Sequence, residues 1–157
     1  MKGVVRLMVQ SKKMTLEEEL RQRGVRGVLL EMARNGQLLE LKCEMPVCYC
    51  DKGRTHFDSW PSPRRASPEA MWAPNPDHYP TLKRDLGQLK PWNVRLAHVH
   101  CNNMDIGWRS RIRAMLEKDP TLSFHEIAER LNRKQKVLLP PKKREWKANL
   151  VRKLYVS

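Results

Sequence analysis

Asp77-His78-Tyr79-Pro80, a turn at Leu86-Gly87, Asn93-Val-Arg-Leu-Ala97, and then His98-Val-His100-Cys101-Asn102 form the stretch on which the fold is decided. It reads as a short strand, a turn, a returning strand, and a helix that begins near Asn102. That helix is expected to run through Trp108, Ile112 and Met115 to about Lys118, where Asp119-Pro120 stops it. Just upstream lies Cys43-Glu-Met-Pro-Val-Cys48-Tyr-Cys50, which together with Cys101 accounts for every cysteine of the chain. Each piece alone is weak, since a lone Asn after a turn is usually a turn residue. Their order and spacing are far less common by chance.

Charge points to the partner. The 157 residues carry 31 Lys and Arg against 17 Asp and Glu, a formal net charge of +14. From Gly107 to Ser157 there are 14 basic against 5 acidic residues, so +9 of that excess lies in the last third. An imbalance of this size is unfavourable in a compact chain unless a polyanion offsets it, and nucleic acid is the expected partner. No apolar run is long enough to span a membrane, and Met1–Gln10 is too short and polar for a secretory signal. A cytoplasmic setting is therefore expected, in a bacterial or phage-infected cell. Thiols stay reduced there, so the clustered cysteines read as metal ligands before disulfides. With only two Phe and three Tyr beside five Trp, a polar chain of this length is expected to need such a staple.

Working outward, residues 1–40 read as an N-terminal helical arm. Thr15-Leu16-Glu17-Glu18 is a capping box, and Leu16, Leu20, Val28, Leu29 and Met32 supply an apolar face. Gly24 and Gly27 weaken it, leaving one helix or two short ones. Asn35-Gly36 marks a turn, followed by a short strand or loop over Gln37–Lys42. Proline-rich Ser59–Pro80, with Trp60 and Trp72, reads as a long loop. The tail, 119–157, holds one helix over Phe124–Asn132 behind a Ser123/Glu126 capping box. After a Pro140-Pro141 break comes a second over Trp146–Tyr155, with Trp146, Leu150, Val151 and Leu154 on one side.

The central segment, 41–118, resembles the His-Asn-His (HNH) endonuclease family with its ββα-metal fold. The motif elements are Asp77-His78 followed by Pro80, the Leu86-Gly87 turn, Asn93, and His98-x-x-Cys101-Asn102 entering a helix. The match covers roughly Cys43 to Trp108. It departs from the family in having Leu-Gly where Gly-Gly is common and His-x-x-Cys where Cys-x-x-Cys is common. It also lacks a Cys-x-x-Cys upstream. The tail resembles, more weakly, the helix-turn-helix segment near DNA-binding modules of serine recombinases.

The resemblance implies an α+β protein whose zinc-stapled ββα core hydrolyses DNA phosphodiesters with a divalent cation. His78 is the implied general base, since a neutral imidazole titrates near neutrality. Asp77 and Asn102 would hold Mg²⁺ or Mn²⁺ through oxygen, with His100 the rival to Asn102. Asn93 would hold the loop or orient His78. Structural zinc is expected on Cys48, Cys50, His98 and Cys101, with Cys43 the alternative. Lys142, Lys143, Arg144, Lys147, Arg152 and Lys153 are the expected contacts to double-stranded DNA. Oligomeric state and biological setting, phage or mobile element among them, are not legible. A non-catalytic zinc-dependent DNA-binding protein is the competing reading.

Overall fold

The structure, a computed structural model, describes residues 13–60, 71–134 and 145–156. It is a mixed α+β fold with a small antiparallel sheet. The arm forms two helices, α1 (Leu16–Gln22) and α2 (Val28–Arg34). Thr15 and Glu18 cap α1 reciprocally, each side chain bonded to the other's backbone amide. Between the helices Gly24 and Gly27 take φ of +75° and +83°. Such angles end a helix, so the arm is two short helices rather than one. Leu20, Leu29 and Met32 are buried. The chain after α2 then runs through the cysteines as loop, with no strand over Gln37–Lys42.

The sheet pairs β1 (Pro74–His78) with β2 (Val94–His98), Asp77 opposite Arg95 and His78 opposite Val94. A strand inside the proline-rich stretch corrects the expectation of loop through Pro80. Among the described residues the sheet has two strands, and each is an edge. Val99 donates to the Ala73 carbonyl (3.1 Å) and Tyr79 to that of Asn93 (3.2 Å), so odd-numbered residues face the ladder. Pro74 and Pro76 occupy the even positions, where no donor is needed.

β2 passes directly into α3 (Val99–Lys118), three residues earlier than expected, so Asn102 lies in its first turn. Asp119 caps the far end as anticipated. The tail forms α4 (Phe124–Lys134), entered through the Ser123/Glu126 capping box, and α5 (Ala148–Val156). Residues 135–144, between these two helices, lie outside the described residues. Asn132 of α4 joins Trp146, accepting from its amide (2.7 Å) and donating to its carbonyl (2.9 Å). That places the Trp146 ring 4.9 Å from Trp108 of α3. Leu150, Val151 and Leu154 are buried in the same cluster as Leu20, Met45, Leu96 and Ile112. Arm, sheet and tail therefore share one core. Among the described residues no helix is long and apolar enough to cross a membrane.

Candidate metal centre and the adjoining hairpin

The loop after α2, the end of β2 and the start of α3 converge on one point. There Cys43, Cys48, His98 and Cys101 place a ligand atom each, all within 4.8 Å of one another. Cys48 Sγ lies 3.7 Å from His98 Nδ1 and 3.9 Å from Cys101 Sγ, and Cys101 Sγ lies 3.5 Å from His98 Nδ1. A tetrahedron with bonds of about 2.3 Å has edges of about 3.8 Å, so the spacing suits an ion such as zinc. Three sulfurs and one imidazole nitrogen are also the donor set that zinc prefers. All four cysteines are free thiols.

The cluster takes in Cys43, the alternative, in place of the expected Cys50. The reason is local backbone geometry. Cys50 turns its amide, not its sulfur, toward Cys48 Sγ, and its own buried thiol is pushed up by desolvation. Cys43, fully buried, is held by its amide on the Arg54 carbonyl at 2.8 Å. The Tyr49 amide likewise donates to Cys101 Sγ at 3.2 Å. Backbone donors to sulfur of this kind orient metal ligands from outside.

His98 is fully buried, with its Nε2 donating to the His56 carbonyl. That bond orients the ring and turns Nδ1 toward the sulfurs, where a bound cation would displace its proton. Electrostatics in the cluster follow from crowding. Hydrogen bonds from Cys101 and Cys43 pull the Cys48 thiol far down, and Cys101 is pushed far up by its bonding to Cys43 and Cys48. One thiolate is thus favoured and further ones opposed, unless a cation offsets their repulsion. Burial pulls His98 down, but Cys43, Cys48 and the His56 carbonyl outweigh it and set its pKa at about 9. His56 itself stays out of the cluster, bonded to Asp58 at 3.0 Å. His100 packs edge-on against Trp72 (5.1 Å) and Tyr49 (6.0 Å), and burial lowers its pKa.

His78, half-buried, ends β1. Behind it, residues 79–93 form a loop that Asn93 ties shut. The Asn93 carboxamide accepts from the Thr81 amide (2.7 Å) and donates to the carbonyls of Thr81 (2.8 Å) and Gln88 (3.0 Å). Asn93 therefore holds the loop, one of its two expected jobs. Gly87 fits against it so closely that a Cβ would collide with the Thr81 carbonyl. Leu86, at φ +64°, takes the left-handed conformation instead. In α3, Asn102 Oδ1 is buried with no hydrogen-bond partner among the described residues.

Beside His78 lies a charged chain that sequence reading missed. Asp77 accepts from Arg95 Nε at 2.8 Å, Arg95 Nη2 lies 3.8 Å from Asp105, and Asp105 binds Arg109. All four residues are at most 7% exposed. Burial, and then Arg95, lowers the Arg109 pKa. Asp105 and Arg109 stand four apart in α3, flanking buried Trp108, a spacing that marks one helical face. That spacing was the available signal.

Of the expected DNA contacts, Lys142, Lys143 and Arg144 lie outside the described residues. Lys147, Arg152 and Lys153 are exposed, the last two on α5 opposite its buried Leu150, Val151 and Leu154. Comparison with protein-family models, curated proteins and solved structures finds no match to this chain.

Proposed function

We propose that this chain is a metal-dependent DNA endonuclease of the His-Asn-His type, its core stapled by zinc on Cys43, Cys48, His98 and Cys101. One observation carries the reading. Strand, tied loop, strand and helix follow one another in the order the resemblance implies, with Asp77-His78 closing the first strand and Asn102 in the first helical turn. In this reading the His78 imidazole takes the proton of a water whose oxygen attacks phosphorus. The bond from phosphorus to the sugar oxygen breaks, and that oxygen is protonated from solvent. Among the described residues no hydrogen bond or ion pair engages the His78 ring, so it is open to this role. A divalent cation such as Mg²⁺ or Mn²⁺, held by Asp77 and Asn102, would supply a Lewis acid at the scissile phosphate. The orphaned Asn102 Oδ1 fits that assignment. Asp77 fits it in part, because Arg95 already engages Oδ2.

The test is plasmid cleavage with and without added Mg²⁺ or Mn²⁺. Wild type is expected to nick or linearise the plasmid only with the cation. His78→Ala is expected to lose roughly 10²–10⁴-fold in rate, the usual worth of acid–base catalysis, with zinc content and melting unchanged. Undiminished cleavage by His78→Ala would remove the base assignment. The burial of Asp77 and its pairing with Arg95 favour one second reading, a zinc-dependent DNA-binding protein without catalysis. Binding without cation-dependent cleavage would establish that alternative.

The basic tail is the expected source of affinity. Because α5 is part of the core, its charges are best removed by substitution rather than truncation. Combined Lys147→Gln, Arg152→Gln and Lys153→Gln is expected to weaken DNA binding. The slope of log affinity against log salt should flatten by about 0.9 for each phosphate that is no longer neutralised. An unchanged slope would mean that these side chains are merely solvated.

A further inference from the structure

The loop 79–93 is held rigidly yet presents apolar side chains to solvent. Leu86 is 90% exposed and Trp92 73%, and the Trp92 ring has no aromatic or cationic partner among the described residues. This indole is the barest of the described tryptophans: Trp108 and Trp146 are buried, Trp72 is partly buried and Trp60 is 37% exposed. Its backbone is not loose. Trp92 sits in a single 3-10 turn, Pro91–Asn93, between Pro91, which restricts φ, and Asn93, whose carboxamide makes three hydrogen bonds. Lys83, Arg84 and Lys90 are also exposed on this loop, against the single carboxylate of Asp85. Past the loop, Arg84 shares a cleft of about 900 Å³ with Arg113 and Glu117 of α3.

An exposed aromatic ring on a tied backbone, flanked by cations, matches nucleic acid, which offers base faces for stacking and phosphates for the cationic groups. We infer that the loop 79–93 is a nucleic-acid-engaging element in which Trp92 stacks on an unstacked base while Lys83, Arg84 and Lys90 neutralise the adjoining phosphates. The inference rests on the proposed reading only in taking nucleic acid as partner. It adds the place and mode of contact, next to His78 at the root of the loop. Stacking and charge are separable. The ring contributes affinity that salt does not screen, whereas the lysines contribute the salt-dependent part.

The experiment is fluorescence anisotropy of a labelled single-stranded oligonucleotide and its duplex, in buffer without chelator or added Mg²⁺, for wild type, Trp92→Ala, Trp92→Phe and the pair Lys83→Gln with Lys90→Gln. Trp92→Ala is expected to weaken single-strand binding by about five- to a hundred-fold with an unchanged salt slope. Trp92→Phe should recover most of the loss, and the lysine pair should flatten the slope. Melting should not move in the Trp92 variants, because the ring is outside the core. Wild-type affinity in Trp92→Ala, an equal loss on fully paired duplex, or a wild type that binds neither probe would overturn the inference. The enzymatic reading fails separately: a wild type that binds with these signatures but never cleaves plasmid leaves the loop assignment standing.

Discussion

Cys43→Ser is expected to cost the chain both its metal and its fold, as fully as Cys48→Ser or Cys101→Ser, while Cys50→Ser leaves both in place. Cys43 Sγ belongs to the cluster of four ligand atoms, whereas Cys50 offers that cluster only an amide. The cluster ties the loop before β1 to the end of β2 and the start of α3. These segments are far apart in sequence. Hydrogen bonds of Glu44 with Leu96, of His98 with the His56 carbonyl and of the Tyr49 amide with Cys101 join the loop to β2 and α3. Structural zinc in small domains is worth on the order of 10 kcal/mol near neutral pH. That approaches the whole stability of an ordinary domain, about 5–15 kcal/mol. Losing one of four ligands therefore should unfold the core rather than soften it. Elemental analysis should find about one zinc per wild-type chain, and a strong chelator should collapse the melting transition. Full zinc content in Cys43→Ser would overturn the assignment.

Asp105→Ala is expected to destabilise the protein by about 3–5 kcal/mol, among the largest effects of any single substitution outside the cluster. Asp105 is 1% exposed and stands between Arg95 and Arg109, which are 7% and 4% exposed. Removing its carboxylate strands two guanidinium groups in the interior. Asp77 still answers Arg95, but Arg109 then loses its ion pair while Arg95 still repels it. For a chain of this length the loss corresponds to a fall in Tm of roughly 6–20 °C. Asp105→Leu combined with Arg109→Leu should cost clearly less than the sum of the two single changes, because the pair leaves together. Denaturant unfolding of the singles and the double closes the cycle. Simple additivity would show that the two side chains are not energetically coupled. The same measurement bears on the site, since Arg95 holds Asp77 beside His78.

Much of this arrangement was legible in advance because its causes are local. The Thr15/Glu18 and Ser123/Glu126 boxes are made within one helical turn, and both helices start where those residues predict. The end of α3 at Lys118 follows from Asp119-Pro120, and the return strand from the turn at Leu86-Gly87. Of the two jobs the resemblance implies for Asn93, holding the loop or orienting His78, its carboxamide does the first. That a cluster of Cys and His could take a metal followed from spacing and from the chemistry of sulfur and imidazole.

What the sequence by itself determined, then, is which residues start and stop helices, where the hairpin turns, and which side chains are competent to bind a metal or titrate. These properties reside in residue types and in neighbours a few positions away. The tertiary structure decided the rest. Cys43 displaces Cys50 because the loop aims one sulfur inward and the other's amide instead, a matter of backbone path rather than spacing. Pro74 and Pro76 stand in a strand because, among the described residues, that strand has one partner and they fall on its outward positions. Asp77 is buried against Arg95, and α5 docks on α3 through Trp146 and Trp108, through contacts between residues many positions apart. Such contacts depend on where the chain returns after long excursions. Only the assembled core sets that, because burial and pairing are properties of the packed whole.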